Sequence, residues 1–163
     1  MLTLPKIVER EELPYVAVAE TVTMPFGPVI DGALGAAAAW LEQNGVKDFG
    51  PAIFKYNVID MPRLEIEFGF LVRSAQAGGG RVTAGLLPAG KYAMIKYLGH
   101  YDDLESVTAV LIGWARQKGI VWDSTEGPAG ERFAARYEVY YNGPMDEPDP
   151  AKWETDIYIK IRE

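Results

Sequence analysis

Trp40-Leu-Glu-Gln-Asn-Gly45 and Trp114-Ala-Arg-Gln-Lys-Gly119 are one phrase written twice in a chain of 163 residues. Each closes an apolar pattern of helical spacing, and each ends on a glycine placed to stop a helix. In the first, Leu34, Ala37, Ala38 and Leu41 recur with Val29, Ile30 and Trp40 near the same stripe. The second runs from about Leu104 to Lys118. Working outward, Tyr15-Val-Ala-Val pairs with Tyr92-Ala-Met-Ile ahead of the helices. After them, Ile53-Phe-Lys-Tyr56 parallels Tyr137-Glu-Val-Tyr140, and Glu65-Ile-Glu-Phe-Gly-Phe70 parallels Glu154-Thr-Asp-Ile-Tyr-Ile159. The unit is strand, helix, strand, strand, and it occurs twice.

The predicted strands cover Ile7 to Val22 around a Pro14-Tyr15 break, a hairpin of Ala52 to Ile59 and Leu64 to Val72 about Asp60-Met-Pro-Arg63, then Val82 to Leu98, Phe133 to Tyr141 and Asp156 to Ile161. Ala77-Gly-Gly-Gly80 reads as a flexible midpoint. The expectation is one α+β domain over 1–163, made of two repeats at about 1–76 and 81–163. In it an antiparallel sheet carries two main helices with pseudo-twofold symmetry. Such units bury one sheet face under a helix, and two of them joined edge to edge leave a groove along their seam, where a ligand would sit.

Composition narrows the function. Lys and Arg number 16 against 23 Asp and Glu, a net charge of −7, which argues against direct nucleic-acid binding. Cysteine is absent and His100 is the one histidine, so disulfides, thiolate chemistry and multi-histidine metal centres are excluded. Ser74, Ser106 and Ser124 sit in no Gly-x-Ser-x-Gly elbow. The start, Met1 to Glu12, lacks the apolar stretch of a signal peptide, and no uncharged apolar run reaches the roughly 18 residues of a membrane span. A cytoplasmic protein with no membrane partner is expected.

Leu87-Pro-Ala-Gly-Lys-Tyr-Ala93, Gly99-His-Tyr-Asp102, Leu104, Trp114, Tyr137-Glu-Val-Tyr140 and Glu154-Thr-Asp-Ile157 occur in that order. In this order and spacing the chain resembles the GyrI-like small-molecule-binding family, the effector-binding domain of AraC-type and MerR-type multidrug regulators. The resemblance covers essentially the whole chain, most clearly after Gly80. It implies a duplicated β-α-β-β fold of the SOUL/GyrI-like, effector-binding class, with a central cleft for hydrophobic, often cationic or planar aromatic molecules. It also implies a glutamate at the bottom of the cleft two residues before a tyrosine, here Glu138 before Tyr140. The sequence departs from relatives at Tyr141-Asn-Gly-Pro144, a turn. Because it begins directly at the first strand, a stand-alone copy is expected. Among such relatives some protect against toxins or modulate DNA gyrase, and one branch hydrolyses the cyclopropane of DNA-alkylating compounds.

Strand alternation puts Arg136, Glu138 and Tyr140 on one face and Ala135, Tyr137, Val139 and Tyr141 on the other, neither plainly the core. A carboxylate in an apolar cleft would have a raised pKa, and a bound organic cation would favour its charged form. Binding should weaken at acid pH. Tyr92, Tyr140, Trp114, Trp40, Tyr56 and Phe68 are candidate ligand contacts beside Glu138, although helical packing alone explains Trp40 and Trp114. His100 reads as a turn residue, Asp102 and Asp103 as helix-capping charges, and Met145-Asp-Glu-Pro-Asp-Pro150 as a solvated loop.

The leading expectation is a binding protein for hydrophobic, cationic or planar aromatic compounds, with no cofactor and no metal. The alternative is a hydrolase in which Glu138 activates water while Tyr92 or Tyr140 donates to the leaving group. A third is a protein-interaction module, such as a partner of DNA gyrase or a homodimer.

Overall fold

The two helices of the repeat are α1, Gly27–Gln43, and α2, Leu104–Gln117, in the computed structural model, which describes residues 1–163. They terminate identically. Gly45 and Gly119 adopt φ of 74° and 72°, a left-handed conformation that costs a residue with a Cβ roughly 1–2 kcal/mol. Gly45 donates its N–H to the Glu42 carbonyl and Val46 to that of Leu41, while Gly119 and Ile120 do the same to Arg116 and Ala115. The doubled phrase is therefore a doubled helix stop.

Ten strands form one antiparallel sheet: β1 (Lys6–Arg10), β2 (Leu13–Thr23), β3 (Ala52–Asp60), β4 (Arg63–Leu71), β5 (Val82–Leu87), β6 (Gly90–Leu98), β7 (Ser124–Gly127), β8 (Gly130–Phe133), β9 (Arg136–Tyr140) and β10 (Glu154–Lys160). Its order is β1-β6-β10-β9-β3-β4-β2-β5, with β7 and β8 branching beside β3. Outward from the central β3–β9 pair, β4, β2 and β5 on one side answer β10, β6 and β1 on the other. The outermost strands are exchanged. β1 from the first half edges the second, and β5 from the second edges the first, so each half completes the other's sheet.

Both faces of the sheet are buried. On one, α1 lays Ala33, Ala37 and Leu41 on Val18, Ile66 and Phe68, and α2 lays Leu104, Val107 and Leu111 on Ala93, Ile95 and Ile157. On the other, the sheet curls onto itself around Tyr15, Ile53, Leu87, Tyr92, Tyr137 and Tyr158. That curled face also encloses charge. Glu67 accepts from both Tyr15 and Asn57 and pairs with Lys55 at 3.4 Å, and Asp156 pairs with Lys96 at 2.8 Å. Neither helix is long and apolar enough to cross a membrane.

Several predicted boundaries shift. The first break falls at Glu11 and Glu12, with Pro14 inside β2, where it tops the edge pairing with β5. Val82 to Leu98 is two strands, because Pro88 and Ala89 turn the chain between them. Phe133 to Tyr141 is interrupted at Ala134 and Ala135, whose backbone bonds instead to Asp123 and Lys160. The glycine midpoint is a hydrogen-bonded turn, Gly79 and Val82 exchanging both backbone bonds at 2.9 and 3.0 Å.

Candidate functional site

Each helix covers its own half of the sheet, and neither covers the middle. The space between them, over β3 and β9, is an open cleft of about 1460 Å³. Its floor follows from strand register. Phe54 lies opposite Glu138 across the β3–β9 pair, so Tyr56 and Tyr140, each two residues further along its own strand, flank that pair from opposite sides. Both tyrosine hydroxyls donate to the same oxygen, Glu138 Oε1, at 2.8 and 2.5 Å. Oε2 accepts no bond from the protein and is not sealed from the cleft, although the residue as a whole is only 8% exposed.

Burial pushes the Glu138 carboxyl above its ordinary range, and the two tyrosine bonds and the Arg136 charge partly counter it. The same burial, together with the carboxylate beside them, raises Tyr56 and Tyr140 well above the usual phenol value. These hydroxyls stay protonated and act as donors. Desolvation lowers Arg136 from the usual guanidinium value.

The walls are mainly apolar. Phe26, Ile30 and Leu34 face the cleft from the α1 side and Leu104, Thr108 and Ile112 from the α2 side. Tyr101 meets the Tyr140 ring edge-on at 5.4 Å, and Phe54 tilts against Tyr140 at 4.6 Å. Among ionisable carboxyl and basic groups, the lining contains five carboxylates, Asp31, Asp102, Glu105, Glu138 and Asp146, against one cation, Arg136. Four of those carboxylates are exposed at the rim, so the potential at the entrance is negative. No group of three or more His, Asp or Glu residues comes together that could hold a metal.

Of the residues expected from sequence, Glu138, Tyr140 and Tyr56 meet at the floor. The others lie elsewhere. Tyr92 is on the curled face, fully buried among Tyr137 and Tyr158, with its hydroxyl donating to the Pro88 carbonyl at 2.6 Å. Phe68 is on the helix face but fully buried beneath α1. Trp40 and Trp114 pack at the helix ends against the two helix-side cores, outside the cleft. Tyr92 is therefore out of reach of any group bound over Glu138.

Other residues take unexpected places. His100 accepts the Asp102 N–H on Nδ1 at 3.0 Å and caps the 3-10 turn Tyr101–Asp103, while Asp103 makes no side-chain cap and instead accepts from Tyr97. The acidic loop is largely exposed, yet Met145 and Asp146 close one side of the cleft. It is fastened there by Tyr101 donating to the Asn142 carbonyl and Trp153 to that of Glu147. Sequence reasoning missed Tyr101, Phe54 and Arg136 as lining residues. Arg136 shares the strand face of Glu138, and Phe54 holds the place of Glu138 in the first repeat, so the signals were those of alternation and internal alignment.

The family model for the GyrI-like small molecule binding domain matches residues 4–162, and the chain belongs to this family. No curated protein matches the sequence. Among solved structures, the EcmrR C-terminal domain is 17% identical with a TM-score of 0.74, covering 98% of this chain and 97% of that domain. Of the EcmrR chain seen in complex with DNA, the match spans 58%. SAV2435 bound to tetraphenylphosphonium is 13% identical with a TM-score of 0.57, over 97% and 93% of the two chains. A hydrolase from Listeria innocua is 12% identical with a TM-score of 0.61, over 97% and 91%. At these identities the likeness is one of fold.

Proposed function

We propose that this GyrI-like domain binds lipophilic, planar or branched aromatic cations in the cleft between α1 and α2, with Glu138 as the counter-charge. The observation that carries the reading is the asymmetric state of that carboxylate. Its Oε1 is held by two tyrosines, and its Oε2 is left to an apolar cleft with an acidic rim. A buried carboxylate with a raised pKa is costly alone, and a cation that shares its desolvated site repays the cost. Phe54, Tyr101 and Tyr140 supply aromatic rings, and a ring that turns its face to a desolvated cation adds about 0.5–2 kcal/mol. The chain acts as a single domain of two repeats, about 1–76 and 81–163, and the ligand sits on their seam. A sequence without cysteine accords with a cytoplasmic place for such a binder.

The fold shared with a structure bound to tetraphenylphosphonium makes that compound the natural probe. Calorimetric titration of wild type and Glu138→Gln with it, followed by mass analysis of the recovered compound, tests the reading. Binding by wild type, weakened in the variant, with the cation returned intact, supports it. No binding by wild type refutes it.

The raised carboxyl and the fold shared with a hydrolase favour one second reading, in which Glu138 takes a proton from water. Tyr56 or Tyr140 would then donate to the leaving group, since Tyr92 lies on the other face of the sheet. A cyclopropane-bearing electrophile recovered with one added water would decide for it.

A further inference from the structure

Arg136 lines the cleft beside Glu138, and its side chain is hydrogen-bonded to nothing. It is half-buried, donates no hydrogen bond to the protein and has no carboxylate within 4.0 Å, yet none of its nitrogens is sealed off. The guanidinium carries five N–H donors, and those that face the cleft are open to whatever fills it. Neither nearby carboxylate pairs with it. Glu138 Oε1 receives Tyr56 and Tyr140, and Glu131 accepts from the Ser124 hydroxyl at 2.6 Å. Meanwhile the guanidinium carbon sits 4.9 Å from the centre of the Phe133 ring, a contact that holds the planar fork without using its donors.

We propose that Arg136 is an anion-recognising group of the cleft, so that the favoured ligand is amphoteric: an aromatic cation that also bears a carboxylate or a comparable oxyanion. The inference rests on the cation-binding reading above and refines its ligand class. Arg136 and Glu138 project from the same face of β9 one pleat apart, roughly 7 Å along the strand. The floor thus presents opposite charges side by side, Oε2 to a ligand cation and the guanidinium fork to a ligand carboxylate. The rim carboxylates Asp31, Asp102, Glu105 and Asp146 repel a purely anionic compound. An anion enters this cleft when it is carried on a molecule that also brings positive charge.

Rhodamine B and its ethyl ester form a matched pair, sharing one xanthylium cation and differing in a free carboxylate against a neutral ester. Fluorescence anisotropy titrations of both dyes against wild type, Arg136→Gln and Arg136→Lys isolate the anionic contact. Arg136→Gln should weaken the free acid about 10- to 100-fold and leave the ester within about twofold, the range for losing a charge-assisted hydrogen bond. Arg136→Lys should recover part of the acid's affinity, and it serves as the test if the glutamine variant misfolds. Equal loss of both dyes would overturn the proposal, since Arg136 would then act only by keeping Glu138 ionised. It would also fall if wild type bound the ester and not the acid, with the cation reading intact. If neither dye nor tetraphenylphosphonium bound wild type, the cation reading would fail and this one with it.

Discussion

Replacing Glu138 with Gln should make the empty protein more stable and the cleft a poorer host for cations. The amide oxygen can accept the same two hydroxyls, from Tyr56 and Tyr140, that now reach Oε1, while the amide nitrogen takes the place of the unbonded Oε2. Shape and hydrogen bonds are conserved, and the charge alone is removed. Because burial raises the folded-state pKa of Glu138, its favourable contribution to stability is fully present below the unfolded value and is lost as pH rises through the folded one. Above its folded-state pKa the wild type has lost that contribution, and Glu138→Gln, which does not titrate, has not. A net gain on the order of 1 kcal/mol, or a rise in Tm of roughly 2–4 °C for a domain of this size, is expected where the wild-type carboxyl is ionised. The gap should close as pH falls through that raised pKa and the wild-type carboxyl takes up its proton. Binding moves the other way. With a bulky cation centred roughly 5 Å from the carboxylate and an effective dielectric of about 20, the lost attraction is about 3 kcal/mol, or about 100-fold in Kd. Thermal melts across pH and calorimetry with tetraphenylphosphonium read both effects. A variant less stable than wild type at neutral pH, with undiminished cation affinity, would refute the reasoning on both counts.

Tyr56→Phe and Tyr140→Phe each remove a bond that holds the Glu138 carboxyl down, so in each variant cation binding should fade at a higher pH than in wild type, visible in a pH series of titrations. Because both hydroxyls share Oε1, the double variant should depart from the sum of the single ones. Trp114→Phe and Tyr92→Phe should leave ligand affinity within about twofold while lowering Tm, as both side chains pack outside the cleft. Gly69→Ala should be severe: its Cβ would fall 1.8 Å from the Val16 carbonyl oxygen and 2.5 Å from Ala17 Cα, both backbone of the paired strand β2. A loss of about 3 kcal/mol or more is expected in urea denaturation, and a wild-type midpoint would contradict the close approach of the two strands.

The fold was legible where its determinants are local. A glycine at a helix stop is demanded by backbone geometry at that residue, so Gly45 and Gly119 announced both helices, and the Trp before each fixed the alignment of the halves. The carboxylate was legible through resemblance, and Tyr56 through the alignment of Ile53–Tyr56 on Tyr137–Tyr140. What stayed hidden depends on which way each sheet face turns. Alternation sorts Tyr92 and Tyr140 onto faces of their own strands, but both faces here are buried, one by helices and one by the curl of the sheet. Apolar character therefore could not tell cleft from core, and Tyr92 fell on the wrong side. Phe68 shares the cleft face but lies under α1, a matter of where a helix sits that periodicity within one strand does not carry. The β7–β8 hairpin was missed because Ser124 to Gly130 is polar and short, and it is held through pairing of β8 with the distant strand β3.

The exchanged edge strands and the central pair together explain why one acid suffices. Pseudo-symmetry relates Tyr56 to Tyr140 and Phe54 to Glu138, so the two halves supply matching hydroxyls but dissimilar residues at the seam. Had both positions been acidic, two carboxylates would face each other across a single strand pair, and repulsion would hold one of them protonated. With Phe54 in the second place, the hydroxyls of both repeats converge on one carboxylate, and the other half of the floor offers a ring in place of a charge. On the proposed reading, this arrangement suits a ligand with a single positive centre and an aromatic body. The halves that carry the walls are bound to each other through the central β3–β9 pair and the exchanged strands β1 and β5.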